Sequence, residues 1–455
     1  MSEAPENSRQ PAARARLHLA TMGCQMNRYD SSRLAGYLGG LGFVPVDDPW
    51  QADVILLNTC SVRHRAEHKV YSYLGQFREL KRRRPEVVLG VGGCVAQQLG
   101  EELLRKLPHL DLVFGPGALD RVPELIEDAA KGRRRALTPE QTGFGGIGPC
   151  LPARPGLKAL VTVMQGCDNF CTYCVVPYVR GRERSRPAGE VLEEVAALAE
   201  AGVREVTLLG QNVNSYRDPG GGGGFAWLLE RVAEVKGLWR IRFATSHPKD
   251  LSRELMEALA GIDKVMEELH LPAQAGSDRV LKAMNRRYSR ARYLELVEEL
   301  RSLVPELGLG GDLIVGFPGE SEDDFRQTLS LVEEVRYDYL YSFKYSDRPF
   351  AKASRMAGKL DEPVKARRLR ELQEMQSRIS LELHRAQEGR RVQVLVEGPA
   401  KRGEGLMTGR SRAGQAVNFP GGEDLAGRLV EVEITEGRVN SLMGRVVQPP
   451  RGGQS

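Results

Sequence analysis

Early in this chain one short pattern recurs three times: a strand-like run, a turn that carries a cysteine, then a helical stretch. The runs at 17–21, 53–57 and 87–91 lead into Cys24, Cys60 and Cys94, and helical stretches follow at 31–41, 66–83 and 98–106. Residues 111–114 read as a fourth strand. Strands separated by helices cannot pair as hairpins. Each must cross over, which makes a parallel sheet with helices on its faces. That sheet fixes where the cysteines go. All three fall just past the carboxyl ends of strands, the edge at which open α/β sheets bind ligands. Thiols far apart in sequence are thereby brought to one place. Three unconnected small core residues are the plain alternative, because free cysteine is often buried. The repeated position, after Gly or Thr in a strand-end turn, favours a metal–sulfur site.

A second set of thiols is packed into eight residues, Cys167-x3-Cys171-x2-Cys174. Three thiolates on one short loop can each bind an iron of a 4Fe–4S cubane and leave the fourth iron without a protein ligand. An open iron can hold a small molecule, so this spacing points to catalysis rather than electron storage. Structural zinc wants four tetrahedral ligands, and no fourth Cys or His lies near this loop in the sequence. A disulfide would leave one thiol over. The run 158–164 reads as a strand, and Gln165-Gly166 turns the chain into the loop. The seventh cysteine, Cys150, sits alone in a Gly- and Pro-rich stretch and is expected to be inert.

At 455 residues the chain exceeds a single domain. Its hydrophobic fraction, 41%, is ordinary for a globular protein. No stretch reaches the roughly 18 apolar residues of a membrane span. Residues 1–16 are polar, lack the apolar core of a secretory signal, and are expected to form a disordered tail. Seven cysteines in so long a chain are no disulfide framework, so a reducing cytoplasm is the expected location. The net charge of +5 is modest, but basic residues cluster at 63–65, 81–84, 131–135 and 180–186. A solvated surface accounts for any one run. Several runs near a candidate active site point to a polyanion, nucleic acid first.

The pattern predicts an α/β protein in several parts. After the tail (1–16) come an N-terminal parallel α/β domain (17–142) and a linker (143–156). Residues 157–386 alternate strand and helix again, with candidate strands at 159–164, 205–209, 240–244, 265–270, 312–316 and 338–345. Six such units predict a (βα)6 partial barrel. A charged helix over 363–387 closes this part. Residues 387–449 hold short strands at 392–396, 406–408, 416–419, 429–435 and 441–446 between glycine turns. They predict a small closed β-barrel, a form that often binds oligonucleotides. The glycine run 220–224 reads as a flexible turn, with no phosphate loop inferred.

At this point the motifs match a family. Cys167-x3-Cys171-x2-Cys174 at the end of a first barrel strand resembles the radical S-adenosylmethionine superfamily. Gly23-Cys24-Gln-Met-Asn27, Asn58-Thr59-Cys60-Ser-Val-Arg63 and Gly93-Cys94-Val-Ala-Gln97 look like the N-terminal domain of the methylthiotransferases. The last segment is similar to a TRAM domain, an RNA-binding module. The resemblance covers residues 17–447 in the family's domain order. Segments 208–216, 244–248 and 342–349 look like the branch that methylthiolates N6-isopentenyladenosine beside the tRNA anticodon. Two departures stand out. Gln274-Ala275-Gly276-Ser277-Asp278 carries Ala where the family usually has Ser. Phe350-Ala351 replaces a usual Gly-Thr after Arg348-Pro349, and the larger side chain is expected to reshape the substrate mouth.

The resemblance implies roles. Cys167, Cys171 and Cys174 hold the catalytic cluster, whose open iron chelates S-adenosylmethionine. A 5′-deoxyadenosyl radical then takes hydrogen from C2 of the adenine, an unactivated C–H that acid–base chemistry cannot grip. Cys24, Cys60 and Cys94 hold an auxiliary 4Fe–4S cluster that supplies sulfur, methylated by a separate S-adenosylmethionine, and both clusters are expected to face one cavity. Gln211, Asn212, Gly316 and Glu320 lie at strand ends and are expected near the cofactor. His247 and His270, at similar positions, are expected to make structural hydrogen bonds. Arg180, Arg182, Arg184 and Arg186 are expected to grip anticodon phosphates. The implied partners are the tRNA anticodon stem-loop and an electron donor, with no membrane. Methylthiolation of N6-threonylcarbamoyladenosine in tRNA is the rival within enzymes. A branch acting on a ribosomal-protein aspartate fits 211–212 poorly. A non-enzymatic RNA-binding iron–sulfur protein is the rival from another class, and it leaves an open iron at a barrel mouth unexplained.

Overall fold

Both strand–helix alternations become parallel sheets. This computed structural model describes residues 15–60, 64–140, 143–144, 147 and 156–448. Residues 1–14, Arg63, Cys150 and most of the expected linker lie outside the described residues. The chain divides into two units, Met1–Arg154 with Tyr178–Arg182, and Pro155–Pro177 with Glu183–Ser455.

The first unit holds strands β1 (Arg16–Met22), β2 (Val44–Pro45), β3 (Val54–Thr59), β4 (Val88–Gly93), β5 (Leu112–Phe114) and β6 (Arg135–Leu137). They pair in the order β2-β1-β3-β4-β5-β6, all parallel. β3 and β4 are buried along their whole length, which is why they read as unbroken small and apolar runs. Alternate side chains enter opposite cores. Ile55, Leu57 and Leu89 pack with Val70, Leu74 and Leu103, whereas Val54, Leu56 and Val88 pack with Leu34, Leu38 and Leu125. Three expectations change here. β1 begins inside the expected tail, because Asp53 accepts from the backbone N–H of Arg16 at 2.9 Å and from its guanidinium. The helix expected over 66–83 is two, His64–Gly75 and Arg78–Arg83. The one expected over 98–106 is split between Cys94–Leu99 and Glu101–Lys106 by Gly100, at φ +49.

The second unit contains β7 (Lys158–Thr162), β8 (Met164–Gln165), β9 (Arg184–Ser185), β10 (Glu205–Leu209), β11 (Arg240–Ala244), β12 (Glu268–His270), β13 (Gly308–Val315) and β14 (Tyr339–Lys344). β7, β10 and β11 pair in parallel, as do β12, β13 and β14. One bridge, Ile241 to Val265, joins the two sets. The strand expected over 265–270 is therefore a single bridge followed by a short strand. Among the described residues β7 and β14 do not pair with each other, so six strands curve into a half-barrel with an open side. Register partners in parallel strands share a face. On the inner face, ion pairs run from Lys158 to Glu205 (3.5 Å), from Glu205 to Arg242 (3.7 Å) and on to Glu268. The outer face packs Val206, Leu208, Ile241, Leu309 and Leu313 under the helices.

β15 (Arg391–Pro399), β16 (Leu406–Arg410), β17 (Ala416–Pro420), β18 (Leu429–Arg438) and β19 (Ser441–Gln448) close into the expected small barrel, in the order β15-β16-β17-β19-β18. Val394, Phe419, Val432 and Ile434 fill it. The buried Arg240 donates to the carbonyls of Arg410 (2.7 Å) and Gln393 (3.2 Å), tying β11 to this barrel.

Candidate active site

In the first unit, Cys24, Cys60 and Cys94 sit at the carboxyl ends of β1, β3 and β4, as the pattern implied. Glycine lets them converge. A Cβ on Gly23 would stand 2.6 Å from Cys60 Cβ, and one on Gly93 (φ +91) would strike the carbonyl of Thr59. Asn27, wholly buried, locks two of the turns together: its Nδ2 donates to Asn58 Oδ1 (3.1 Å) and to the Thr59 carbonyl (2.8 Å). Cys24 Sγ donates to Asn27 Oδ1 at 3.1 Å. A hydrogen bond with Cys60 brings the Cys24 thiol down to about 6, helped by the charge of Arg180 and by backbone N–H groups at a helix start. Burial pushes Cys94 up, against the pull of Arg180. Arg180 itself is buried in this unit. Its Nη2 donates to Asp30 at 2.7 Å and its Nε to Cys94 Sγ at 3.3 Å.

In the second unit, the loop after β8 carries the other three thiols. Gly166 turns with φ +79, and its N–H is held by Gln211 Oε1 at 2.5 Å. Asn285 Nδ2 donates to the carbonyls of Asn169 (3.0 Å) and Phe170 (3.1 Å), and Thr172 N–H donates to the Met284 carbonyl (3.1 Å). The buried Arg286 places Nη1 3.5 Å from Cys171 Sγ, with its remaining N–H groups on the Pro272 carbonyl and Tyr288 Oη. Burial raises Cys167 to about 11 and Cys174 to about 12, and neighbouring thiols add to both.

Around these strand ends several buried polar atoms have no partner among the described residues: Gln165 Oε1, Asn212 Oδ1, Ser246 Oγ, His247 Nε2 and Glu320 Oε1. Asn212 Nδ2 donates to Asp250 (2.7 Å). Glu320 accepts from Gly316 N–H (2.6 Å) and Arg368 (2.5 Å), and burial raises its carboxyl. Gly316 stands at φ +73, and a Cβ there would strike Lys365, so the turn itself demands glycine. His247 Nδ1 accepts from Lys249 N–H (3.2 Å), which leaves its proton on Nε2, and burial lowers its pKa to about 2. His270 Nε2 meets Asp312 at 3.1 Å.

Two arginines of the run at 180–186 are buried. Arg180 is spent on Asp30 and Cys94, and Arg186 on Glu194 (2.6 Å) and the Thr162 carbonyl (2.8 Å), so neither guanidinium faces outward to a phosphate. Arg182 and Arg184 are half-buried. Sequence reasoning missed Asp30, Asn285 and Arg286. Asn285 carried one faint signal, a residue type that tolerates φ +60.

Among the described residues no group of three His, Cys, Asp or Glu side chains closes around a single ion position, so fit is tested on the chemistry of the donors. Both sets pass. Each gathers three thiols where at least one is buried, and each adds a buried guanidinium that donates to sulfur. Arg180 Nη1 and Asp30 Oδ1 beside the first set also lack partners among the described residues. Desolvated thiols of raised pKa ionise when a cation meets them. The unpartnered polar atoms suit a ligand as polar as S-adenosylmethionine.

An open parallel half-barrel with three thiols on the loop beyond its first strand defines a radical S-adenosylmethionine enzyme. Residues 161–332 match the Radical SAM superfamily, 16–115 the Uncharacterized protein family UPF0004, and 385–447 the TRAM domain. The fold is similar to that of the radical S-adenosylmethionine methyltransferase TsrM of Kitasatospora setae, at TM-score 0.54 and 13% identity over 87% of this chain and 77% of that one. The tRNA-2-methylthio-N(6)-dimethylallyladenosine synthase of Carboxydothermus hydrogenoformans is 48% identical over 94% of this chain and 99% of its own length. That of Geobacter metallireducens is 51% identical over 94% and 98%. The chain belongs to this synthase family.

Proposed function

We propose that this chain replaces the C2 hydrogen of N6-isopentenyladenosine (the dimethylallyl nucleoside), beside the tRNA anticodon, with a methylthio group. It uses S-adenosylmethionine as radical source and methyl donor, together with two 4Fe–4S clusters. The observation that carries the reading is the pair of three-thiol sets at strand ends, in a chain about half identical to these synthases over nearly full length. Cys167, Cys171 and Cys174 hold the catalytic cluster, and Cys24, Cys60 and Cys94 the auxiliary one. Bound there, these groups supply the electron, the hydrogen-abstracting radical, the sulfur and the methyl.

The chain's own residues hold and orient. Gln211 fixes Gly166, and with it the start of the cysteine loop. Asn285 pins the middle of that loop. Arg180 and Arg286 each put an N–H on a cluster sulfur, which favours the more negative, reduced state. Asn212 and Glu320 offer acceptors to the cofactor, and His247 offers a neutral Nε2–H donor. Gly316 shapes the turn that places Glu320. Arg182 is the member of the run assigned to RNA, since Arg184 buries Nε and Nη2. The tail (1–16), N-terminal domain (17–142), linker (143–156), radical core (157–386) and RNA-binding barrel (387–449) are the working divisions. Among the described residues no helix is long and apolar enough to cross a membrane. We place the enzyme in the cytoplasm, where thiols stay reduced and an electron donor can reach it.

Nucleoside analysis of tRNA from a strain lacking this gene tests the reading. N6-isopentenyladenosine without its methylthio group is expected to accumulate, and the gene in trans restores it. Loss of the methylthio group from N6-threonylcarbamoyladenosine instead contradicts the assignment.

A further inference from the structure

β14 carries a row of aromatic side chains that the chemistry at the strand ends does not use. Tyr339, Tyr341 and Phe343 alternate along the strand, so all three point to one face, in register with Gly310, Asp312 and Ile314. Tyr339 is tucked in. Its ring fills the space a Cβ on Gly310 would need and lies parallel to His270, with centroids 6.3 Å apart. Tyr341 meets Tyr339 and His270 edge-on, at centroid distances of 5.6 Å and 6.1 Å, yet it and Phe343 stay open to solvent. They are 57% and 45% exposed, on a strand that among the described residues pairs with β13 alone, at the open side of the half-barrel. Phe350, 55% exposed, follows at φ +68. A bulky residue in that left-handed region is strained where glycine would be at ease, and strain of this kind gathers at functional sites.

Local charge decides what covers these rings. Lys344 is held by Glu362 and Lys359 by Asp347, and Arg348, Lys352 and Arg355 add further positive charge to the stretch that follows the strand. Apolar protein interfaces are depleted of lysine at their centres. Exposed rings among cations are instead how proteins hold unpaired nucleotides: the ring stacks on the base and the cations meet the phosphates. We propose that Tyr341 and Phe343, with Phe350, form a stacking platform for the unpaired loop nucleotides that flank the adenosine being modified. This inference rests on the tRNA reading above.

The test measures binding of an RNA hairpin with an N6-isopentenyladenosine-containing anticodon loop to the anaerobically reconstituted full chain, over a range of salt. Tyr341→Ala with Phe343→Ala is expected to raise Kd by at least about tenfold at every salt concentration. The slope of log Kd against log salt stays unchanged, because stacking releases no counterions. Tyr341→Trp with Phe343→Trp binds at least as tightly as wild type. Phe350→Gly relaxes the backbone, so it weakens RNA binding without lowering the melting temperature, a combination that a merely structural side chain would not give. This variant decides the matter if the alanine pair loses iron or melts early. Alanine variants that bind within about twofold of wild type, a slope that falls with affinity, or a wild-type dimer that these substitutions dissociate would each overturn the platform. If wild type itself ignores the hairpin, the tRNA reading falls with it.

Discussion

Arg180 and Arg286 carry their charge into the interior to reach a sulfur, yet among the described residues only one of them brings a counter-ion. Asp30 neutralises Arg180, whereas the hydrogen-bond acceptors around Arg286 are a carbonyl, tyrosine hydroxyls and Cys171 itself. A cation beside a cluster raises its potential. Arg286→Gln is therefore expected to move the catalytic cluster's midpoint to more negative potential, and Arg180→Gln to move the auxiliary one less, by redox titration followed by electron paramagnetic resonance. His247 supplies a pH dependence. Its folded pKa, about 2, lies below the ordinary 6.5 of the unfolded chain, so the unfolded state binds the extra proton. Stability from the neutral ring is complete above pH 6.5 and is lost as pH falls, by about 1.4 kcal/mol per unit. His247→Gln is expected to flatten the dependence of unfolding free energy on pH between 6.5 and 5. An unchanged slope would show that the ring ionises in place. At this scale the placement of the six cysteines, at strand ends and on one loop, was legible, because spacing and strand-end position are properties of the sequence. The burial within the arginine run was not legible, since a string of basic residues does not record that Arg180 and Arg186 turn inward to Asp30 and Glu194. Asn285 and Arg286 were invisible, since the loop they hold is more than a hundred residues away.

The elements that position the thiols are strands, and strands were the part read best. β10 and β11 fall on their expected residues, and the five small-barrel strands occupy their predicted places. Helix ends were read less well. Gly100 breaks one expected helix because its conformation, φ +49, ends the turn, and a lone glycine inside an apolar pattern does not announce that. β12 came out short because Val265 is pulled onto Ile241 for a single bridge, a tertiary effect. The turn after β4 shows what an element end must do. Gly93 allows Cys94 to start a helix directly beneath Asn58 and Thr59. Gly93→Ala is expected to cost at least about 2 kcal/mol. It is also expected to halve the iron per reconstituted chain by displacing Cys94. Full iron content in that variant would contradict the part given to this turn.

Over the whole molecule, the order of parts was legible because each has its own period: parallel strands with crossovers, then the same again, then short strands between glycine turns. The sequence did not reveal how the small barrel is tethered. Arg240 does this with a guanidinium buried against the carbonyls of Arg410 and Gln393, and no local pattern marks such a residue. The account depends on a division of labour between two sets of thiols, one for radical generation and one for sulfur. The most direct measurement pairs two products of a single anaerobic reaction with S-adenosylmethionine, a reductant and tRNA, for wild type and Cys24→Ala: 5′-deoxyadenosine by chromatography and the modified nucleoside by mass. Wild type is expected to yield both. Cys24→Ala is expected to go on making 5′-deoxyadenosine while the methylthio nucleoside disappears. Methylthio product at wild-type levels from Cys24→Ala would contradict the account.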